Sequence, residues 1–180
     1  MNKRFPVERI AYDAVLSAVT VALGFFALDL GTFKFTFENF PIILAGFLFG
    51  PLDGALVGLV GIFLAQVIRY GVDISTPLWI LPYVLSGLYI GLVSRARKKE
   101  FAWWQLLLIL LVNALLVTGV NTFSLYIYRK FILHVPVETM IADVPLRIAT
   151  NLIKAVLFTA LTALLLPPLR SLLKKMRNQS

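Results

Sequence analysis

Long apolar segments separated by clusters of cations constrain the fold of this chain more than any other feature. A helix needs about 20 apolar residues to cross the hydrocarbon core of a bilayer. Segments of this kind lie at residues 8–28, 40–51, 53–70, 77–95, 102–128 and 144–168. Because 59% of the 180 residues are hydrophobic, one soluble core could not bury them all. The sequence therefore predicts an all-α integral membrane protein whose residues 1–180 form a single domain of six transmembrane helices.

The cations that flank these segments predict the orientation of the protein. Cytoplasmic loops of membrane proteins are enriched in Lys and Arg. Three clusters lie before the first segment, between the fourth and fifth, and after the sixth: Lys3, Arg4, Arg9, Arg95, Arg97, Lys98, Lys99, Arg170, Lys174, Lys175 and Arg177. Both termini are thus predicted to be cytoplasmic, with outward connections near 29–39, 71–76 and 129–143. The net charge of +8 is attributed to this anchoring at membrane lipid, so nucleic acid is not an expected partner.

Several kinds of chemistry are not expected of this composition. The chain has no cysteine and one histidine, His134, which excludes thiolate chemistry and argues against a metal centre. His134 has no neighbouring serine or cysteine, so it is a poor catalytic candidate. No Gly-rich phosphate loop followed by Lys-Ser/Thr is present. We expect neither an enzyme nor a bound cofactor.

Glycine and proline predict how the middle segments pack. Segment 40–51 is too short to cross the membrane comfortably, so it is expected to tilt or to be shielded by its neighbours. Gly50-Pro51 predicts a tight turn into the third helix. The glycines that follow at positions 54, 58 and 61 would let another helix come close. In the fourth helix Pro82 predicts a bend, beside which Trp79 and Tyr83 share a face, either in an interfacial belt or lining a cavity.

The sixth helix carries a polar stripe into an otherwise apolar segment. Asp143 is predicted to cap the helix, with Pro145 in its first turn. At about 100° per residue, Arg147, Asn151 and Lys154 lie within about 60° of one another. Cations in lipid are costly, so this stripe is expected to face a water-accessible interior. The alternative is that helices 5 and 6 only hydrogen-bond to each other while Arg147 reaches outward to the interface.

Helix 5 offers polar side chains for the opposite wall of such an interior. Asn121, Ser124 and Tyr128 share a stripe in its outer half, and Asn113 lies deeper. Few acids are placed to neutralise the two cations. Asp13 lies too near the cytoplasmic side, the loop acids Glu138 and Asp143 would reach only Arg147, and no acid is evident for Lys154. An anionic substrate entering from outside would supply the missing charge.

The segment FKFTFENFPIILAGFLFGPLDGALVG at 33–58 resembles the first outer loop, second helix and following turn of one transporter family. That family comprises the substrate-binding S components of energy-coupling factor (ECF) vitamin importers, and the resemblance covers nearly the whole chain. It implies a bundle of six helices around a vitamin pocket that opens outward, in a multi-pass protein of a bacterial cell membrane. Outer loops would close the pocket, with Lys34 contacting substrate, and Glu38 and Asn39 in the same loop.

The resemblance also implies partners. The small-residue series Ala14, Ala18 and Ala22 is similar to the family's alanine motif for docking on the transmembrane coupling subunit. Two ATPase subunits would supply the energy. VNTFSLYI (120–127) and VPLRIATNLIKA (144–155) are similar to stretches of folate-specific S components, in which a helix 6 arginine contacts substrate.

The expected function is therefore capture of a water-soluble vitamin, with folate preferred. Arg147, Asn151, Lys154 and Asn121 would bind polar and anionic groups, and Trp79 or Tyr83 would stack on a flat ring. Pantothenate, a pyridoxine-type vitamin and a stand-alone secondary carrier for a small solute stay open as alternatives. The carrier is disfavoured because the apolar segments contain no mid-membrane acid for ion coupling.

Overall fold

A computed structural model of the chain describes residues 4–26, 28–29, 34–97, 101–134 and 138–179. Its side chains are described over 7–26, 36–97, 101–134 and 144–176. Within these ranges the fold is helical apart from one two-residue strand pair. The elements are α1 (Arg4–Phe25), β1 (Leu28–Asp29), β2 (Lys34–Phe35), α2 (Asn39–Leu48), α3 (Pro51–Tyr70), α4 (Thr76–Ala96), α5 (Trp103–Ile127) and α6 (Glu138–Gln179). The strands β1 and β2 pair antiparallel, and a π-helical turn, Tyr128–Leu133, extends α5.

Each of the six predicted segments corresponds to one of these helices, which confirms the predicted fold class. Within the part of the chain that the structure describes, four helices are long and apolar enough to cross a membrane: Pro51–Tyr70, Thr76–Ala96, Trp103–Leu133 and Val144–Met176. The first helix is 22 residues long and carries more charge near its start. The shortest, α2, has only 10 residues, about 15 Å at 1.5 Å per residue.

The predicted boundaries of the last helix are wrong at both ends. It starts at Glu138, so Asp143 does not cap it and Pro145 lies inside it. It also continues past Pro167 and Pro168 to Gln179. Neighbouring helices can satisfy the backbone groups that a proline frees in a membrane helix, so proline need not end one there. The predicted outer connection 129–143 is correspondingly too long, because the π-helical turn extends α5 to Leu133.

Shielding by neighbours, rather than length, explains how the short α2 is accommodated. All residues from Phe40 to Leu48 are buried. One side of α2 packs into a cluster with α4, α5 and α6 that includes Phe47, Ile90, Leu110 and Phe158. The other side joins α3 and α4 through a second cluster that contains Ile42 and Val57. The expectation that this segment is shielded is confirmed.

Glycines bring α3 close to both α4 and α1, as predicted. A Cβ atom added at Gly54 would lie 2.7 Å from the carbonyl oxygen of Gly87, and one at Gly58 would lie 2.9 Å from that of Tyr83. Gly61 similarly contacts Thr20 of α1. These distances leave no room for a side chain, so α3 and α4 touch backbone to backbone. The turn before α3 depends on Gly50, whose φ of 121° favours glycine.

Candidate functional site

The polar residues predicted on helices 4, 5 and 6 line one cavity. It has a volume of about 620 Å³ and extends from the α3–α4 connection down between α3, α4, α5 and α6. Six of the predicted binding residues line it: Trp79, Tyr83, Asn121, Arg147, Asn151 and Lys154. Of the two readings left open for Trp79 and Tyr83, the structure therefore favours the cavity over an interfacial belt. The side chain of the seventh predicted residue, Lys34, lies outside the described part of the chain.

Three residues of α6 form the cationic wall of this cavity. Asn151 donates a hydrogen bond of 2.8 Å from Nδ2 to Oγ1 of Thr118, which fixes α6 against α5. Arg147 lies one turn toward the mouth, and Lys154 lies about one turn further inward. The Nε atom of Arg147 is shielded from solvent and has no hydrogen-bond partner among the described residues. Because the side chain of Arg147 lines the cavity, the structure favours the predicted water-accessible interior over the alternative in which Arg147 reaches outward to the interface.

Glu38 supplies the acid that the sequence failed to assign to Lys154. It is 9% exposed and lies at the start of α2, on the cavity wall. Its Oε1 atom accepts a hydrogen bond from the Tyr83 hydroxyl and another, of 3.1 Å, from Oγ1 of Thr36. Glu38 and Lys154 line the same cavity with opposite formal charges. Glu38 is thus an acid in the wall of the cavity that Lys154 also lines, and it was not evident from the sequence.

Arg69 is a further cation of the cavity that sequence reasoning did not assign. It lies in the last turn of α3, lines the cavity and packs over the ring of Phe25, 5.1 Å from its centroid. Among the described residues, the lining thus carries three cations, Arg69, Arg147 and Lys154, and two acids, Glu38 and Asp73. Because Arg69 ends a helix near a loop, its sequence context resembles that of an ordinary interfacial cation.

Aromatic side chains form the wall nearest the mouth. Nε1 of Trp79 donates a 3.0 Å hydrogen bond to Oγ of Ser75, and its ring meets that of Tyr128 edge-on with centroids 5.5 Å apart. Ser75 in turn donates from its backbone N and its hydroxyl to Oδ1 of Asp73, at 2.7 and 2.6 Å. The side-chain hydrogen bond from Ser75 lowers the pKa of Asp73. The Trp79 ring is therefore held in place by the α3–α4 connection and is accessible from the cavity.

A smaller cavity of about 40 Å³ adjoins the large one at its inner end. The two share lining residues, among them Tyr83, Asn151 and Lys154. Asn113 of α5 lines only the small cavity; it is 2% exposed, and its Oδ1 atom has no partner among the described residues. Ser124, which shares the predicted stripe of α5 with Asn121 and Tyr128, is fully buried and is not among the residues that line these two cavities.

A separate charged cluster lies at the opposite end of the helices. Nε of Arg9 donates to Oδ1 of Asp53 at 2.6 Å, and Nη2 of Arg9 donates to the carbonyl oxygen of Phe49, also at 2.6 Å. Asp13 is close to both Arg9 and Asp53. The expectation that Asp13 does not serve Lys154 agrees with this placement. Above this cluster, the predicted docking residues Ala14, Ala18 and Ala22 are all exposed on α1.

Comparison with known proteins gives one family match and several similar folds. The family described as "ECF transporter, substrate-specific component" matches residues 8–166. No curated protein has detectable similarity to the chain. A solved S component for biotin from an ECF-type ABC transporter superimposes with a TM-score of 0.67 at 21% identity, covering 89% of this chain and 92% of its own.

Two further solved structures are similar at slightly higher identity. FolT bound with folic acid has a TM-score of 0.64 at 26% identity, covering 85% of this chain and 90% of its own. The S component of a bacterial ECF transporter has a TM-score of 0.64 at 25% identity, covering 94% of this chain and 99% of its own. Two of the three are described as S components of ECF transporters, and the third holds folic acid.

Proposed function

The chain belongs to the family of substrate-specific components of ECF transporters, and from this premise we propose that it captures folate from outside the cell. Substrate would enter the cavity between α3, α4, α5 and α6 and be handed on by partner subunits that hydrolyse ATP. Membership of the family makes the protein a multi-pass protein of the cell membrane with a transport role. The choice of folate and the identity of the partners are the proposal.

The buried Nε atom of Arg147, which has no hydrogen-bond partner among the described residues, is the observation that carries this proposal. An Nε–H that is buried without an acceptor costs roughly 1–3 kcal/mol, which a ligand carboxylate can recover. Arginine also binds a carboxylate through two parallel hydrogen bonds. The glutamate carboxylates of folate provide such groups. FolT with bound folic acid has the same fold at 26% identity.

Aromatic and polar side chains support the same choice. The flat pterin ring of folate would stack on Trp79 or Tyr83, which line the cavity beside Asn121 and Asn151. Pantothenate would use the cationic wall but has no flat ring for these aromatics. A pyridoxine-type vitamin has a flat ring but no carboxylate for Arg147. Folate is the one of the three that uses both walls.

The orientation proposed from the cations suits capture from outside. The cavity reaches Tyr70, Gly71 and Asp73 at the α3–α4 connection. Arg9, Arg95, Arg97, Arg170, Lys174 and Lys175 lie toward the opposite ends of the helices. Positively charged ends are cytoplasmic in membrane proteins, so the mouth of the cavity is proposed to face outward.

The exposed small residues of α1 are proposed to dock on the transmembrane coupling subunit. Ala14, Ala18 and Ala22 recur every four residues, so they lie on one side of the helix. Small side chains allow close approach of a second membrane helix. Two ATPase subunits would act through that coupling subunit, and the chain itself would not hydrolyse ATP.

Binding to the purified protein tests the proposal. Isothermal titration calorimetry would compare folic acid, pantothenate and pyridoxine, and mass spectrometry would identify any small molecule retained through gentle purification. Arg147→Ala should weaken folic acid binding by about 2–4 kcal/mol, or roughly 30- to 1000-fold. The matched control is Arg97→Ala, which removes an exposed cation at the far end of α4. Equal affinity of wild type and Arg147→Ala would contradict the anionic site.

A stand-alone carrier is distinguished by energetics. Copurification of ATPase subunits from the native membrane favours the importer. Uptake of folic acid by proteoliposomes that contain this chain alone would favour the carrier instead.

A further inference from the structure

Asn113 has a hydrogen-bonding capacity that the described part of the protein leaves unused. It is 2% exposed, and its Oδ1 acceptor has no partner among the described residues. A buried polar atom of this kind costs free energy unless a bound group satisfies it. Oδ1 is therefore available to a donor on a group that enters the protein.

The small cavity gives such a donor a place and a route. Asn113 lines it together with Asn39, and its apolar walls are formed by Ile43, Leu110 and Phe158. A volume of about 40 Å³ exceeds the roughly 10–15 Å³ that one water needs, but it is too small for a whole ring. It suits the edge of a ring, such as an exocyclic amino group. The ring itself would lie in the larger cavity, which shares Tyr83 and Lys154 with the small one.

The positions of Arg147 and Asn113 along the antiparallel helices give the length of the site. The Asn151–Thr118 hydrogen bond sets α5 and α6 in register. Arg147 lies four residues from Asn151 toward the mouth, and Asn113 lies five residues from Thr118 in the other direction. At 1.5 Å per residue, the two are separated by about 13 Å along the helices.

The outer end of this site requires a hydrogen-bond acceptor from the ligand, and the inner end requires a hydrogen-bond donor. At the outer end, Nε of Arg147 is an unsatisfied donor. At the inner end, Oδ1 of Asn113 is an unsatisfied acceptor, and the carboxylate of Glu38 lies on the neighbouring wall. A second anionic group there would meet the negative charge of Glu38 as well as the positive charge of Lys154, whereas an N–H donor finds two acceptors, Oδ1 of Asn113 and the carboxylate of Glu38.

We propose that the small cavity is a subsite in which Asn113 accepts a hydrogen bond from an N–H donor at the inner end of the substrate. The substrate is then an elongated molecule with a carboxylate at Arg147 and a neutral ring edge that bears N–H groups at Asn113. This inference rests on the proposed function and adds the direction in which the ligand lies. In folate, the amino-bearing edge of the pterin points inward and the glutamate points outward.

The first test changes the ligand and leaves the protein intact. Calorimetry would compare folic acid with 2-desamino folic acid, which lacks the exocyclic amino group. The wild-type protein should bind the desamino compound about 10- to 100-fold more weakly, because Asn113 would lose its donor. This comparison does not depend on the folding of any variant.

The second test changes the acceptor. Asn113→Leu keeps a similar volume but removes the oxygen, so it should weaken folic acid by a similar factor and abolish the preference for folic acid over its desamino analogue. Thr162→Val is the matched control. Thr162 is also fully buried, its Oγ1 has no partner among the described residues, and it lines neither cavity. Folic acid affinity of this control should equal that of wild type.

The outcomes separate this inference from the proposed function. Suppose that the wild-type protein binds folic acid and its desamino analogue equally tightly, and that Asn113→Leu leaves the affinity for folic acid unchanged. These results would overturn the subsite and would mean that the small cavity holds water only. A desamino penalty that persists unchanged in Asn113→Leu would also overturn it. Absence of folic acid binding to wild type would overturn the folate assignment and this inference together.

Discussion

Replacing Tyr83 by phenylalanine tests whether Glu38 is a fixed, ionised part of the cavity wall. The Tyr83 hydroxyl donates to Oε1 of Glu38, which also accepts from Thr36. A hydrogen bond to a charged acceptor contributes roughly 1.5–3 kcal/mol, against roughly 0.5–1.5 kcal/mol for one between neutral groups. Tyr83→Phe should therefore lower the free energy of unfolding by about 1.5–3 kcal/mol.

A double-mutant cycle isolates the charge of Glu38. In a Glu38→Gln background the same Tyr83→Phe change removes only a neutral bond, so the two changes should be non-additive by about 1 kcal/mol. For a protein of this size about 1 kcal/mol corresponds to roughly 2–4 °C in the unfolding midpoint. Thermal unfolding in detergent micelles should thus show a loss of about 3–12 °C for Tyr83→Phe in the wild-type background.

Tyr89→Phe is the matched control for this cycle. Tyr89 lies on the same helix and packs against the core cluster, with no hydrogen bond from its hydroxyl among the described residues. Its removal should shift the midpoint by less than about 2 °C, the range of an uninvolved substitution. Additive losses in the cycle, or equal losses for Tyr83→Phe and Tyr89→Phe, would refute an ionised Glu38 bound to Tyr83.

Two further predictions concern α1 and the α3–α4 connection. Ala18→Leu should leave folic acid affinity unchanged but abolish uptake in the assembled transporter, because a bulky side chain blocks close helix approach; lost binding with intact assembly would contradict the docking surface. Hydrogen bonds from Ser75 lower the pKa of Asp73 from its ordinary value of 3.8, so the stabilisation is fully present above 3.8 and is lost as the pH falls through the lowered pKa. Fluorescence of Trp79, measured with Trp103 and Trp104 changed to phenylalanine, should therefore be constant from about pH 5 to 8, whereas Asp73→Asn should alter it throughout that range.

The helices could be predicted from the sequence because each depends on local chemistry. Apolar length predicted the six segments, and the Gly50-Pro51 pair predicted the turn between α2 and α3. Proline was misleading in the last helix. Pro145 was interpreted as part of the first turn, although a membrane helix can contain proline further along when its neighbours satisfy the freed backbone groups.

The cationic half of the site could also be predicted, because Arg147 and Lys154 are conspicuous in an apolar helix and periodicity places them on one face. The acidic side of the site could not be predicted from the sequence. Glu38 precedes α2 in what the sequence presents as a polar loop, and nothing local indicates that Tyr83, 45 residues later, will bind it. Asn113 was visible as a polar residue deep in helix 5, but only the three-dimensional packing leaves its oxygen without a partner.

The two cations of α6 have different environments, and this difference predicts opposite effects on stability. Lys154 lines the same cavity as Glu38 and carries the opposite charge, so Lys154→Ala should leave Glu38 poorly compensated and lower the free energy of unfolding by about 1–3 kcal/mol. This reverses the expectation from the sequence alone, in which Lys154 is an uncompensated charge. Arg147 instead has a buried donor without an acceptor, so Arg147→Ala should raise the stability of the ligand-free protein by about 1 kcal/mol.

Ligand should reverse the order of wild type and Arg147→Ala. A ligand that binds only the folded state stabilises it in proportion to its affinity, so saturating folic acid should raise the unfolding midpoint of wild type well above that of Arg147→Ala. Thermal unfolding with and without folic acid measures both states of each protein. If wild type is more stable than Arg147→Ala even without ligand, Arg147 has a structural partner in the protein. Its guanidinium group would then not be available to bind the carboxylate of a ligand.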